Sequence, residues 1–305
     1  MALQTPDPRL SENRYQLIDF GDGRKLESFD GRLIDRPSPA ADGIVKARPS
    51  LWRRAESVFD APTKRWHHRT RWADDSRINC GGFWMPVAAT PFGHVGVFPE
   101  QAPNWDWLRD TSLAGTSPTR GEPAWGLNLF GYTGASTMAM AISGLAVSHV
   151  DAAKPNVTAT RLAATINRLQ NHPIRYLVDD AAKFAAREVR RGRRYDTIVL
   201  DPPAYGHSPK GKAWRLQRDL WPLLDDCVSL LSPDRYRLLV TGHSAEIGPD
   251  DVLNYLLARL PGAAGRNVRS SDFHLESGRL VLTDLNERHL DAGFYVRCRR
   301  TADND

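Results

Sequence analysis

Gly126-Leu127-Asn128-Leu129-Phe130-Gly131-Tyr132-Thr133-Gly134-Ala135-Ser136 is the stretch on which the reading of this chain turns. An apolar run from Ala124 ends in Phe130, a loop holding Gly131 and Gly134 follows, and a segment of small residues, Ala135 to Ser143, reads as a helix. Glycine at such positions allows a tight turn and close approach of a ligand to backbone. The spacing is Gly-x-x-Gly, so the full Gly-x-Gly-x-x-Gly dinucleotide fingerprint is absent. By itself the loop is equally an ordinary strand-to-helix turn.

Downstream, strands and helices alternate. Expected strands are Ala146 to Val150, Ile174 to Val178, Tyr195 to Leu200 and Tyr236 to Thr241. Expected helices are Asn156 to Leu169, Ala181 to Arg190, Arg215 to Leu231 and Pro249 to Leu260, with closing strands at Val268 to Leu275 and Gly293 to Arg299. Such repeats predict an α/β, Rossmann-like sheet, mostly parallel, with helices on both faces. Upstream, short segments broken by Gly and Pro predict a β-rich N-terminal domain or extension. Strands are expected at Tyr15 to Phe20, Arg24 to Phe29, Arg32 to Ile34 and Arg77 to Ala89, with a short helix over Ser50 to Phe59 capped by Ser50. The boundary is placed between residues 1–110 and 111–305.

The strand ends carry acids. Asp151 follows the second strand of the α/β part, Asp179-Asp180 the third, and Asp201-Pro202-Pro203-Ala204-Tyr205 the fourth. Ligands of such sheets bind outside the carboxyl ends of the strands. There Asp151 is placed to accept from ribose hydroxyls. The acids at 179 and 180 could accept from an adenine amine, with Ala181-Ala182 leaving room for a flat ring. Each acid alone is equally readable as a helix cap or a solvated end.

The run from Leu127 to Tyr205 resembles the class I S-adenosylmethionine-dependent methyltransferases. More closely it resembles the bacterial enzymes that modify cytosine C5 or guanine N7 in large-subunit ribosomal RNA. The resemblance implies a seven-stranded sheet with its last strand antiparallel. It implies that Asn128, Phe130, Tyr132, Thr133 and Gly134 wrap the methionine end of S-adenosylmethionine, with Asp151 on the ribose and Asp180 at the adenine amine. It also implies that Phe98 and Gln101, in Gly93-His94-Val95-Gly96-Val97-Phe98-Pro99-Glu100-Gln101, cover the cofactor.

Methyl transfer from a sulfonium is an in-line displacement needing orientation and exclusion of water, with no metal. Asp201 is the candidate for orienting the acceptor, Pro202 and Pro203 stiffen the backbone, and Tyr205 is placed to stack on a target ring. Cytosine C5 chemistry needs a thiolate. The stretch after the fifth strand reads Thr241-Gly242-His243-Ser244, without cysteine, which argues against it. His243 is then a base, an RNA contact or incidental.

Net charge is +5, with 41 Lys and Arg against 36 Asp and Glu, which permits a polyanionic partner without proving one. His207, Lys210, Lys212 and Arg215 follow the Asp-Pro-Pro element and could touch a phosphate backbone. Lys64-Arg65-Trp66-His67-His68-Arg69-Thr70-Arg71-Trp72 interleaves basic and aromatic residues, a pattern that suits single-stranded RNA or an ordinary basic surface. Cys80, Cys227 and Cys298 form no disulfide framework and no metal motif. No apolar run is long enough to span a membrane, and a cytoplasmic protein is expected. The expected function is methylation of a base in RNA, ribosomal RNA foremost, with a small-molecule or protein methyltransferase as the alternative. Monomer and homodimer both remain open.

Overall fold

The computed structural model describes residues 13–113, 121, 123–206, 213–244, 246–260 and 273–301. The chain forms two compact units. The first is Met1–Ala102 with Val281–Ala292, and the second is Pro103–Leu280 with Gly293–Asp305. The first unit thus ends at 102, and a distant segment joins it.

The first unit is built on a five-stranded sheet in chain order: β1 (Tyr15–Gly21), β2 (Arg24–Phe29), β3 (Arg32–Pro37), β4 (Ser57–Asp60) and β5 (Arg65–His68). Two turns make the first hairpins. Asp22-Gly23 and Asp30-Gly31 all have positive φ, between 52° and 78°, the geometry that matches the twist of paired strands. Leu17, Phe20 and Ala41 pack with Leu282 and Leu290. Asp19, fully buried, accepts from the backbone N–H of Arg48 at 2.8 Å and from the Trp52 indole at 2.7 Å, and pairs with Arg288.

The expected helix over Ser50 to Phe59 is a correction. Only α1 (Pro49–Trp52) is helical, its N-cap is Arg48, and no side chain caps it. Ser57-Val58-Phe59 instead alternates buried and half-buried residues and pairs with β3 on one side and β5 on the other. The expected strand Arg77 to Ala89 is a hairpin of β6 (Arg77–Asn79) and β7 (Trp84–Pro86), opened by Gly81-Gly82 at positive φ.

The second unit begins within α2 (Ala102–Leu108) and carries the seven-stranded sheet. Its strands are β8 (Trp125–Leu129), β9 (Ala146–Asp151), β10 (Ile174–Val178), β11 (Thr197–Leu200), β14 (Tyr236–Gly242), β15 (Phe273–Thr283) and β16 (His289–Arg300), in the order β10-β9-β8-β11-β14-β16-β15. A short ladder, β12 (Tyr205–Gly206) against β13 (Trp214–Arg215), follows β11. The helices are α3 (Ala135–Ile142), α4 (Lys154–Ile166), α5 (Ala181–Arg190), α6 (Leu216–Leu230) and α7 (Pro249–Leu257). β10, β9, β8, β11 and β14 run parallel, while β16 is antiparallel to β14. The expected α/β sheet with a β-rich N-terminal region is therefore present. β8 is flanked by β9 and β11, so the strand order reverses there, which is where ligands of open α/β sheets bind. The closing hairpin is longer than expected. β15 runs on to Thr283, and residues 268–272 lie outside the described residues. Among the described residues no helix is long and apolar enough to cross a membrane.

Burial places one ion pair at risk in the first unit. Glu27 is fully buried, bonded to Arg36 (Nη2 to Oε1, 3.1 Å), Tyr15 Oη (3.0 Å) and Lys25 (3.1 Å). Burial acts to raise its carboxyl, but the Arg36 and Lys25 charges overcome it and hold it at about 2. Removing one partner of a buried pair leaves an uncompensated charge. Arg36→Met is therefore expected to cost about 3–5 kcal/mol, measured by urea denaturation of the full chain, with Glu27→Gln in the same background recovering part of the loss.

Candidate functional site

The carboxyl ends of the parallel strands bring the glycine loop and the acids to one edge of the sheet. Phe130 (φ 57°) and Tyr132 (φ 49°) adopt left-handed backbone, rare for such side chains, and Gly134 (φ 95°) closes the loop into α3. Strain of this kind persists only where the surroundings over-determine it. Here they do. The Gly131 N–H donates to Val150 O at 3.0 Å, and the Tyr132 N–H donates to Asp151 Oδ2 at 2.8 Å.

Beneath the loop lies a buried polar chain. Asn128 Nδ2 donates to Thr137 Oγ1 (3.0 Å), which meets His149 Nδ1 (2.9 Å), and His149 Nε2 meets Thr160 Oγ1 (3.0 Å). Thr160 Oγ1 donates to Asn156 O (3.0 Å) and reaches Tyr132 O at 3.3 Å. Each hydroxyl has one proton and two lone pairs, and Thr160 spends its proton on backbone carbonyls, so it accepts at Nε2. Thr137 accepts from Asn128 and donates to Nδ1, Nε2–H donates to Thr160, and Thr160 donates to the carbonyls. The imidazole is thus neutral with its proton on Nε2. Burial pushes the imidazole down to about 4. The glycines are sized to this layer. A Cβ on Gly131 would lie 2.5 Å from the His149 ring, and one on Gly134 2.4 Å from Thr160.

The sequence-selected residues divide as follows. Asn128 is buried and serves the layer under the loop, not an open surface. Phe130, Tyr132 and Gly134 form the loop, and Thr133 within it is buried. Asp151 also accepts from the Ala153 N–H (2.8 Å) and Asn156 Nδ2 (3.0 Å), which leaves one of its about four lone-pair sites. Asp180 is the N-cap of α5, accepting from the Lys183 N–H at 3.0 Å, so the helix-cap reading of this acid is realised. Asp179 accepts from the Asp180 N–H and pairs with Arg187. Phe98 and Gln101 belong to the first unit. Phe98 meets the His94 ring edge-on at 5.3 Å, and Gln101 is buried in the short turn Pro99–Gln101.

Asp201 follows β11, where Thr241 Oγ1 donates to its Oδ1 at 2.6 Å and His243 Nε2 stands 3.8 Å from that same oxygen. The Trp214 indole N–H donates to the Pro203 carbonyl at 2.7 Å. Tyr205 is about half exposed, opposite Arg215 in the short ladder. Arg215 is exposed, with its backbone N–H on Asp219. His207, Lys210 and Lys212 lie outside the described residues.

Sequence reasoning missed His149, Thr160 and Trp214. A histidine inside the apolar run Ala146 to Val150 is itself a signal, since a buried imidazole needs partners at both nitrogens. Trp214 packs on Phe130 (ring centroids 5.0 Å) while holding Pro203, tying the glycine loop to the Asp-Pro-Pro element. That link is tertiary and has no local sequence signal. Among the described residues no cluster of three or more His, Cys, Asp or Glu could hold a metal. Burial pushes the Cys80 and Cys298 thiols up to about 12 and Cys227 higher still, so none offers a thiolate near neutral pH.

No family model matches the chain. The crystal structure of the SAM-dependent methyltransferase from Agrobacterium tumefaciens is similar over 95% of this chain and 93% of that one, with 30% identity and a TM-score of 0.80. Ribosomal RNA large subunit methyltransferase K of Neisseria meningitidis is 33% identical over 140 residues, which are 43% of this chain and 40% of that protein. Ribosomal RNA large subunit methyltransferase K/L of Methylococcus capsulatus is 34% identical over 109 residues, 35% of this chain and 15% of that protein. The chain therefore matches less than half the length of these two curated relatives.

The neutral imidazole predicts a pH dependence. Unfolded histidine takes up a proton near 6.5, and His149 only near 4, so between these values the unfolded state binds more protons. Stability contributed by this group is full above 6.5 and is lost as pH falls towards 4, by about 3 kcal/mol in total. His94, also held at about 4, by burial first and then by Arg36 and Lys25, adds loss in the same window. Urea denaturation of the parent and of His149→Gln at pH 7 and pH 4.5 checks this. The variant should be less stable at pH 7 but lose less on acidification, and equal acid losses in the two proteins would contradict the assignment.

Proposed function

The chain belongs to the S-adenosylmethionine-dependent methyltransferases and is related to the K and K/L large-subunit ribosomal RNA enzymes, and on that premise we propose that it transfers the methyl group of S-adenosylmethionine to a base in RNA, ribosomal RNA foremost. The observation that carries the reading is the convergence, at the point where the strand order reverses, of the strained glycine loop after β8 and Asp201-Pro202-Pro203 after β11.

The residues present fit the methyl donor. Asp151 retains one lone-pair site for a ribose hydroxyl, while the Tyr132 and Ala153 N–H groups and Asn156 Nδ2 hold it in place. Phe130 to Gly134 is the segment assigned to the methionine end, and Asp179 and Asp180 are the acids assigned to the adenine amine. When bound, S-adenosylmethionine supplies an electrophilic methyl carbon. The protein's part is to orient the acceptor at Asp201, stack it on Tyr205 and keep water out. The buried, protonated thiols favour an acceptor other than cytosine C5.

The first unit supports RNA as partner by its edge. β5 is an outer strand of its sheet, with Arg65, His67 and His68 exposed and Arg69 just beyond. Charge on an edge strand also blocks edge-to-edge pairing, so the strand serves two ends. Trp66 is partly buried, stacked on His68 at 5.8 Å and bonded to Thr90 O, so it is an anchor of the sheet more than a free platform. A cytoplasmic site of action goes with this substrate.

Isothermal calorimetry tests the cofactor part. S-Adenosylmethionine or its demethylated product should bind in the micromolar range, and Asp151→Ala should weaken it at least tenfold. Asp201→Ala should retain binding and fold but lose most transfer of labelled methyl into RNA. Binding of NADH with no binding of either methyl-donor form would overturn the reading.

A further inference from the structure

Two histidines of the second unit are held in opposite ways. His149 is sealed and neutral. His243, at the end of β14, has 42% of its side chain exposed, next to an Asp201 that is 30% exposed. The parallel register pairs Leu200 with Val240, so Thr241 stands level with Asp201 on the neighbouring strand. The Thr241 hydroxyl donates its one proton to Asp201 Oδ1 at 2.6 Å and fixes the carboxylate. His243 Nε2 lies 3.8 Å from the oxygen so fixed.

The place of the imidazole is set from behind. Gly293, within β16, has φ 110°, and a Cβ there would lie 2.6 Å from His243 Nδ1 and 2.4 Å from Gly242 O. A Cβ on Gly242 would lie 2.6 Å from the Phe294 ring. Two glycines and one phenylalanine thus make the seat. Asp201 faces the imidazole from β11. β16 contributes Gly293, with Tyr295 paired to Thr241 further along the strand. The segment of His243 itself carries Glu246, whose backbone N–H is tied to Ser244 Oγ.

We propose that Asp201 and His243 are the proton-accepting pair of the methyl transfer, and that the acceptor is a nitrogen or oxygen of RNA that carries a proton: an exocyclic amine, a ring N–H or a hydroxyl. This rests on the reading of the chain as an RNA methyltransferase. The acceptor's lone pair forms the bond to the methyl carbon, and the carbon–sulfur bond breaks with its electrons passing to sulfur. The acceptor's proton goes to His243 Nε2, and the Asp201 carboxylate holds the imidazolium that results. An acceptor without a proton, such as guanine N7, has no use for such a pair. Hydrogen-bond contacts of this kind are often long before substrate binds, which the 3.8 Å separation matches.

The test uses the full chain, ribosomal RNA from cells lacking this gene, and methyl-labelled S-adenosylmethionine. kcat is measured from pH 5 to pH 8.5, with the modified nucleoside identified by mass. The parent's profile of kcat against pH should carry the acid limb that marks a general base. His243→Asn should bind S-adenosylmethionine as the parent does by calorimetry, lose about 10²–10⁴-fold in kcat, and lose that acid limb. His243→Gly should be partly restored by added imidazole. Parent activity with an unchanged kcat and acid limb in His243→Asn, or a label found on guanine N7 or cytosine C5, would overturn the pair while leaving RNA methylation standing. Cofactor binding by the parent with no label in RNA would overturn the RNA reading and this inference with it.

Discussion

The uncharged imidazole of His149 holds one proton between two threonine hydroxyls, and the geometry of the cofactor edge depends on that arrangement. Asn128 from β8, Thr137 from α3, His149 from β9 and Thr160 from α4 are joined in one directed chain of hydrogen bonds. Four elements are thereby fixed relative to one another by groups that have no water to fall back on. The loop above them is then forced into left-handed backbone at Phe130 and Tyr132 and has room only for glycine at 131 and 134. A charged imidazole would break the direction of the chain, so the site is coupled to acidity through its foundation.

The edge built on this foundation has two sides. On one, Asp151 is tied to the loop through the Tyr132 N–H, so the candidate ribose ligand and the candidate methionine cradle form one body. On the other, Trp214 holds the Pro203 carbonyl and leans on Phe130, while Thr241 holds Asp201. Such support by neighbours is what keeps an acceptor within the narrow geometry that an in-line transfer needs. The two histidines divide the labour, one silent and structural, one exposed beside a carboxylate.

Much of this was legible in the sequence, for identifiable reasons. Asp22-Gly23 and Asp30-Gly31 announce hairpins because few residue pairs accept two positive φ values. The parallel strands announce themselves as short apolar runs ending in acids, which places Asp151, Asp179, Asp180 and Asp201 on one edge once the strands are parallel. Ser50 to Phe59 misled because a ten-residue run can satisfy a helical spacing, while the alternation in Ser57-Val58-Phe59 that wins is only visible against its two partner strands. Leu282 and Leu290 pack with Leu17 and Phe20 across more than 250 residues of sequence, and no local pattern reports that. Asp180 was legible both as an acid at the right place and as a helix cap, and it caps α5. Trp214 reads as one tryptophan among nine until the fold sets it beside Phe130 and Pro203.

The account stands or falls on whether this chain puts a methyl group on RNA in the cell. The direct measurement is mass mapping of nucleosides in ribosomal RNA from cells with and without the gene. The account predicts one methylated nucleoside that is absent in the deletion, is restored by the parent gene, and stays absent when the restoring gene carries Asp201→Ala. Identical maps in all three strains, with the parent protein present and binding S-adenosylmethionine, would contradict it.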